Sequence, residues 1–258
     1  MISVSALSLT FVIPIRIDSD ERMRNLRYVV DYLDSLNCKI IVLEADSGQK
    51  IFEGDFESNH LEYHFVRDNN KCFHRTRYIN QLLKMTGTKV VSVWDADIIV
   101  PKEQIVEAYL NIVENNCLMA YPYNGDFVFM NPSVTDRFLE RNNCDYYSDT
   151  KFDYVEKNFC GGAFFVDREN YLRCGGENER FVGWGPEDVE RLKRVSILGG
   201  NVKWTKSGRA YHLFHPRKRN SKFYNKTKKC NAEAELIRVC SMDKIELQKY
   251  VNSWENIN

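Results

Sequence analysis

The chain has 258 residues, of which 43% are hydrophobic and 13% aromatic, enough for a sizeable core in one large domain or a domain with an appendage. Its 36 basic and 36 acidic side chains cancel, so no overall field draws it to nucleic acid. No apolar run reaches transmembrane length. Met1–Ile15 is apolar but lacks a basic leader and a small-residue cleavage site, so a first strand is expected there rather than a secretory signal.

In chain order, Leu7–Ile15 reads as a strand, followed by polar Arg16–Asp20. Glu21–Leu36 has helical spacing, with Met23, Leu26, Val29, Val30 and Leu33 on one face. Cys38–Glu44 and Leu61–Val66 are strands, Lys71–Met85 a helix, and Lys89–Val100 a long buried strand. This alternation predicts βαβ units and a mostly parallel sheet flanked by helices. Pro101 opens a helix reaching about Asn115. Cys117–Met130 reads as strand and turn, Val134–Asn142 as a short helix, and Asn158–Val166 as a strand broken at Gly161-Gly162. Glu187–Leu198 is a helix ended by Gly199-Gly200. Asn201–Thr205 and Ala210–Phe214 are short strands, and Glu233–Trp254 has helical periodicity.

The eight cysteines include no C-x-x-C pair, which argues against a cysteine zinc site. Several lie in apolar runs, as free thiols do in a reducing cytosol. Their even number leaves an oxidising compartment open, where the sequon Asn225-Lys-Thr227 would matter.

Five segments carry chemistry. In Val91-Ser-Val-Trp-Asp-Ala-Asp-Ile-Ile-Val100, Asp95 and Asp97 close an apolar run. On an extended chain, spacing i, i+2 points both carboxylates to one face, where a cation carrying a phosphorylated ligand would offset their desolvation. The same spacing at Asp18 and Asp20, in a polar stretch, shows how little it means alone. Phe181-Val-Gly-Trp-Gly-Pro-Glu-Asp188 presents Trp184 between glycines and sets Glu187 and Asp188 at a helix start. The segment is either a plain cap or a sugar platform beside a proton acceptor. Tyr211-His-Leu-Phe-His215 places His212 and His215 three apart after a strand, a structural pair or metal ligands. Val12-Ile-Pro-Ile-Arg16 ends the first strand with an arginine able to hold an anion. Phe73-His-Arg-Thr-Arg-Tyr-Ile-Asn80 places Arg75 near a helix start, where a diphosphate binds well, or on a basic helix face.

In this order the segments resemble the β-1,4-galactosyltransferase family and its bacterial relatives. The resemblance rests on Pro14-Ile-Arg16, Phe73-His-Arg-Thr76, Asp95-Ala-Asp97, Gly161-Gly162, Gly183-Trp-Gly-Pro-Glu-Asp188 and His212-Leu-Phe-His215. It spans about residues 10–220 and implies a GT-A fold, the Rossmann-like α/β fold of nucleotide-diphospho-sugar transferases. It implies that Pro14, Arg16, Phe73 and Arg75 hold the uridine and diphosphate of a UDP-sugar. Asp95 would contact the donor, with Glu44 as a further donor contact or a base. Asp97, His215 and His212 would ligate Mn²⁺ or Mg²⁺. Gly162, Trp184 and Glu187 would line the sugar and acceptor pocket, with Asp188 as the base. The chain departs from the family at His212, where animal enzymes often have Met, at Pro186 for Gly, and at Ala96 for Val.

A single catalytic domain is expected over residues 1–220, with a nucleotide-sugar half (1–116) and an acceptor and metal half (117–220), then a basic loop and C-terminal helix (221–258). Residues 217–229 hold seven Lys or Arg and no acid. Such a run is a solvated loop, which in the family closes over the donor, or a contact for anionic lipid. The expected function is a metal-dependent inverting glycosyltransferase moving a hexose or N-acetylhexosamine to a saccharide or lipid-linked saccharide in surface polysaccharide synthesis. The expected location is cytoplasmic, with a peripheral position at the inner membrane face as the alternative. The alternatives are a nucleotidyltransferase and a non-catalytic sugar-nucleotide-binding relative.

Overall fold

The computed structural model describes residues 8–141, 147, 150–152 and 154–254, and for Arg219 only the backbone. Cys144 lies outside this set. Two sheets organise the chain. The larger has seven strands in the order β3-β2-β1-β4-β8-β6-β9: Leu61–Arg67, Lys39–Asp46, Leu9–Ile15, Val90–Trp94, Ala163–Asp167, Met119–Tyr121 and Val202–Trp204. Its first four strands are parallel, β8 runs antiparallel between β4 and β6, and β9 is parallel to β6. Helices α1 (Asp20–Asp34), α2 (Arg75–Met85) and α3 (Lys102–Val113) flank it, so the mixed, mostly parallel α/β architecture is as expected. Strands β1 and β4 are buried along their whole length, which is why they read as continuous apolar runs.

Strand order reverses at β1, with β2 on one side and β4 on the other. Crevices at such reversals, beyond the carboxyl ends of the strands, are where open α/β sheets take ligands. Here those ends deliver Arg16 and Asp95.

The smaller sheet, β5-β10-β7, joins Ile98–Ile99, Arg209–His212 and Asp126–Phe129. Its existence corrects the long strand expected over Lys89–Val100. The chain leaves β4 after Trp94, turns through Asp95–Asp97, and enters β5 in a different sheet. Trp94 Nε1 donates to the Ile98 carbonyl (2.8 Å) and Ile98 N–H to the Asp95 carbonyl (3.2 Å), closing the turn. The two aspartates are thus turn residues and owe their nearness to that turn, not to extended-strand alternation.

Other boundaries shift for local reasons. Helix α2 starts at Arg75, not Lys71, and β8 starts at Ala163, past the two glycines. The tail is two helices, α7 (Lys226–Cys240) and α8 (Lys244–Asn252), after α4 (Pro132–Arg141), α5 (Arg168–Arg173) and α6 (Glu187–Ile197). Asp243 and Glu246 form a capping box that starts α8 and ends the expected single helix. Helix α7 begins inside the basic run, capped by Asn225, so that run is only partly loop. Val239, Leu247, Val251 and Trp254 form a small second core with Leu198 and Ile197 of the α6 end, which packs the tail onto the body. No helix among the described residues is long and apolar enough to cross a membrane.

Gly175, just after α5, closes this second core. Its φ is +97°, and a Cβ there would lie 2.8 Å from both Trp254 and Val251. Gly175→Ala is expected to cost roughly 2 kcal/mol or more in urea unfolding, from left-handed strain plus overpacking. Gly48→Ala, with nothing within 4 Å of the added carbon, is expected to change stability by less than about 0.5 kcal/mol.

Candidate active site

A cavity of about 370 Å³ opens at the β1–β4 reversal. Pro14, Arg16, Phe73, Arg75, Asp95, Asp97, Gly162, Trp184, Glu187, Asp188, His212 and His215 all line it. The register explains the gathering. Trp94 pairs with Ala163 across the β4–β8 ladder, so the next residues, Asp95 and Gly162, meet through an Asp95 N–H bond to the Gly162 carbonyl (2.7 Å). Ile98 pairs with His212 across β5–β10, and Leu213 N–H donates to the Asp97 carbonyl (2.8 Å). Asp97 and His212 are neighbours because two short strands pair.

Glu44 is the expected site residue that the structure places elsewhere. It is wholly buried, and its carboxylate receives the Lys50 and Ile51 N–H groups and the Tyr63 hydroxyl. It ties the segment after β2 and is not among the residues lining the cavity. Arg16 is on the wall with its donors engaged: Nε to the Ala45 carbonyl, Nη1 to the Asn70 carbonyl, Nη2 to Asp68. Its guanidinium lies 5.4 Å from the Phe73 ring centre, and Phe73 stacks on Tyr78 at 5.5 Å. Arg16 therefore builds a flat, rigid wall more than it offers hydrogen bonds. Asp18, of the second Asp-x-Asp pair, binds Arg22 and Asn220, while Asp20 opens α1.

Asp97, His212 and His215 present ligand atoms within 4.8 Å of one another, the group of this kind found among the described residues. Asp97 is 3% exposed. Burial alone would raise its pKa, but His212, Arg22 and His215 outweigh that and hold it below the usual carboxylate range. Burial pushes His212 down to about 4, so its imidazole is neutral at ordinary pH with a lone pair to give. Nδ1 of His215 lies 3.1 Å from the Pro216 carbonyl, which suits an Nδ1–H tautomer and leaves Nε2, 3.2 Å from Asp97 Oδ2, as the ligating atom. One carboxylate and two imidazoles fit a divalent ion such as Mn²⁺.

Two buried polar atoms of residues lining the cavity have no hydrogen-bond partner: Arg75 Nη1 and Glu187 Oε2. The rest of Arg75 is committed to Asp95, with Nη2 at 2.6 Å and Nε at 3.1 Å. Orphan buried donors and acceptors are rare, and a pair in one cavity marks the place of a polar ligand. Burial keeps Asp95 raised although Arg75 opposes it. Trp184 is 46% exposed at the mouth, edge-on to Phe223 at 5.0 Å.

Two arginines were not found from the sequence. Arg22 of α1 contacts Asp18, Asp97, His215 and Ser221. Arg191 of α6 contacts Asp188 and Glu177. For Arg22 the i, i+4 spacing from Asp18 was the available signal, but its reach across 75 residues to Asp97 was not.

Residues 145–216 match the family profile described as the N-terminal domain of galactosyltransferase. A 46-residue stretch is 37% identical to mouse (Mus musculus) and human (Homo sapiens) β-1,4-galactosyltransferase 7, covering 18% of this chain and 14% of each relative. The matched stretch is thus a small part of those proteins. A 61-residue stretch is 28% identical to N-acetylgalactosaminyltransferase 7 of Drosophila melanogaster, covering 24% of this chain and 10% of the relative. The fold is similar to that of GalNAc-T7 solved with UDP, GalNAc and Mn²⁺ (TM-score 0.63, 12% identity, 95% of this chain and 50% of that one). It is also similar to a Drosophila β-1,4-galactosyltransferase 7 variant solved with manganese, UDP-Gal and xylobiose (TM-score 0.53, 16% identity, 86% of this chain and 78% of that one). Over these stretches the chain is similar to galactosyltransferases, and its fold is the GT-A fold.

Burial first, and the neighbouring Asp188 second, push Glu187 up to about 8. Between the ordinary value of 4.5 and about 8 the folded chain holds this proton and the unfolded chain does not. The resulting stability is fully present below 4.5 and lost as pH rises through 8. Glu187→Gln should therefore flatten the fall of melting temperature across that window, read by thermal scans at a series of pH values. An unchanged slope would show that Glu187 is ionised in the native state.

Proposed function

We propose that this galactosyltransferase-like chain is a metal-dependent, inverting glycosyltransferase that moves a hexose or N-acetylhexosamine from a UDP-sugar to a saccharide acceptor. The observation that carries this reading is one cavity lined by the convergent Asp97–His212–His215 group, by Asp188, and by Arg75 and Glu187, each with a buried polar atom that lacks a hydrogen-bond partner. The relatives supply the precedent: the GalNAc-T7 structure contains UDP and Mn²⁺, and the Drosophila structure contains UDP-Gal, manganese and a disaccharide.

The residues divide the work by position. The Arg16–Phe73 wall suits a flat base, in keeping with a uridine. Arg75 Nη1 and Glu187 Oε2 suit sugar hydroxyls, one as donor and the other as a protonated carboxyl at neutral pH. Trp184 offers an exposed ring at the mouth for the acceptor. Held by Asp97, His212 and His215, Mn²⁺ would neutralise charge growing on the departing diphosphate. Asp188 accepts the proton of the attacking acceptor hydroxyl. The hydroxyl oxygen bonds to the anomeric carbon as the bond to the diphosphate oxygen breaks, and UDP leaves with that electron pair. A single displacement from the opposite face inverts the anomeric centre. A lipid-linked acceptor would set its anionic part near the basic 217–229 segment, where Arg217, Asn220 and Ser221 already line the cavity.

The test is UDP release from UDP-Gal, UDP-GalNAc, UDP-Glc and UDP-GlcNAc with saccharide acceptors, with Mn²⁺ and with EDTA. Transfer that needs Mn²⁺ and yields the inverted anomer by NMR is expected. Asp188→Asn should bind UDP with unchanged Kd and lose transfer by about 10²- to 10⁴-fold. Near-normal transfer by that variant would remove Asp188 as the base. Pyrophosphate release would make the chain a nucleotidyltransferase, and UDP binding with no turnover would make it a binding protein.

A further inference from the structure

Building on the reading of Asp188 as base, we propose that Arg191 is a positioning residue that fixes which oxygen of Asp188 takes the acceptor's proton. Arg191 is 0% exposed, and each of its three guanidinium nitrogens makes a hydrogen bond. Nη1 donates to Asp188 Oδ1 at 2.7 Å, while Nε and Nη2 form a fork onto Glu177 at 2.6 and 2.9 Å. The Tyr171 hydroxyl holds Glu177 in turn at 2.6 Å, and the guanidinium lies 4.0 Å from the Phe164 ring centre. A planar fork locked on three sides cannot rotate, so Nη1 has one direction to point.

Asp188 is confined from its other sides as well. Arg75 Nη1 is 3.8 Å from the same Oδ1. Oδ2 lies over Gly161, so close that a Cβ on that residue would be 2.6 Å from it. The need for glycine at 161 is therefore an approach distance to the carboxylate, since Gly161 is not among the positive-φ glycines. Both guanidinium groups face Oδ1, and Oδ2 has no protein donor among the described residues. The geometry assigns the proton transfer to Oδ2: the acceptor hydroxyl's proton passes to it as the oxygen's electron pair forms the new bond to carbon.

A purely structural role for Arg191 is the competing account. Buried ion pairs contribute little net stability because desolvation offsets their attraction, and an apolar side chain could fill this site beside Phe164. The position of the Asp188 carboxylate is what such a replacement would not preserve.

The experiment compares Arg191→Met, Arg191→Lys and Glu177→Gln with the parent and with Asp188→Asn. Arg191→Met is expected to lower kcat by about 100-fold, within the range for a misplaced general base, with UDP Kd by calorimetry unchanged within about twofold. Arg191→Lys should recover about tenfold of that loss by restoring one donor. In the Asp188→Asn background Arg191→Met should make no further difference, because both act through one carboxylate. A crystal structure of Arg191→Met should show Asp188 turned off Gly161. Asp188 unmoved in that structure, or an equal loss of kcat in the Asp188→Asn background, would overturn the proposal. If Arg191→Met does not fold, Glu177→Gln, which frees the far end of the fork, is judged by the same criteria. If the parent transfers no sugar from any donor, the functional reading falls, while the crystal structure still decides whether Arg191 sets Asp188.

Discussion

The candidate site depends on burying charge in alternating order. Asp95, Arg75, Asp188, Arg191 and Glu177 follow one another, each within ion-pair distance of the next. Any one of these groups buried alone would carry a desolvation penalty of several kcal/mol. Together each carboxylate has a guanidinium beside it and each guanidinium a carboxylate. The series runs from Asp95 through Asp188, the proposed base, to the buried Glu177, so no member can be moved without leaving a neighbour unpaired. This is a rigid device, suited to holding a reacting group in one direction.

The candidate metal group depends on a different constraint, the pairing of two very short strands. Strand β5 has two residues and β10 four, yet their register sets His212 beside Ile98, one residue from Asp97. His215, three residues on, reaches the other oxygen of the same carboxylate. Aromatic rings of Phe127 and Phe129 pack against His212 at 6.0 and 5.1 Å, which accounts for its burial and its neutral imidazole. The turn that breaks the expected strand after Trp94 is what makes this possible. A straight strand through Val100 would have carried Asp97 along the larger sheet, away from β10.

Much of this was legible in the residues. The apolar runs announced the parallel strands because a buried strand has no polar face to alternate with. The glycine loop, the histidine pair and the arginine after the first strand each showed a residue type whose chemistry is restrictive. The reading failed where chemistry was ordinary and only location was special. Glu44 looked like a carboxylate at a strand end facing a ligand, but its partners are the Lys50 and Ile51 amides of the next turn. Arg191 belongs to none of the motifs that carry chemistry in the sequence. Its helix, however, turns Glu190, Arg191 and Arg194 inward to meet Glu177, Asn178 and the Cys174 carbonyl.

By itself the sequence determined the α/β class and the set of groups able to bind a cation, hold a sugar or accept a proton, since those follow from side-chain chemistry and short-range spacing. Tertiary structure alone decided which charges meet. Ion pairing and orphaned atoms are properties of distance in space, set by strand register, by the turn at Asp95–Asp97 and by the close approach of Asp188 to Gly161. None of these distances is written in the local pattern of residues.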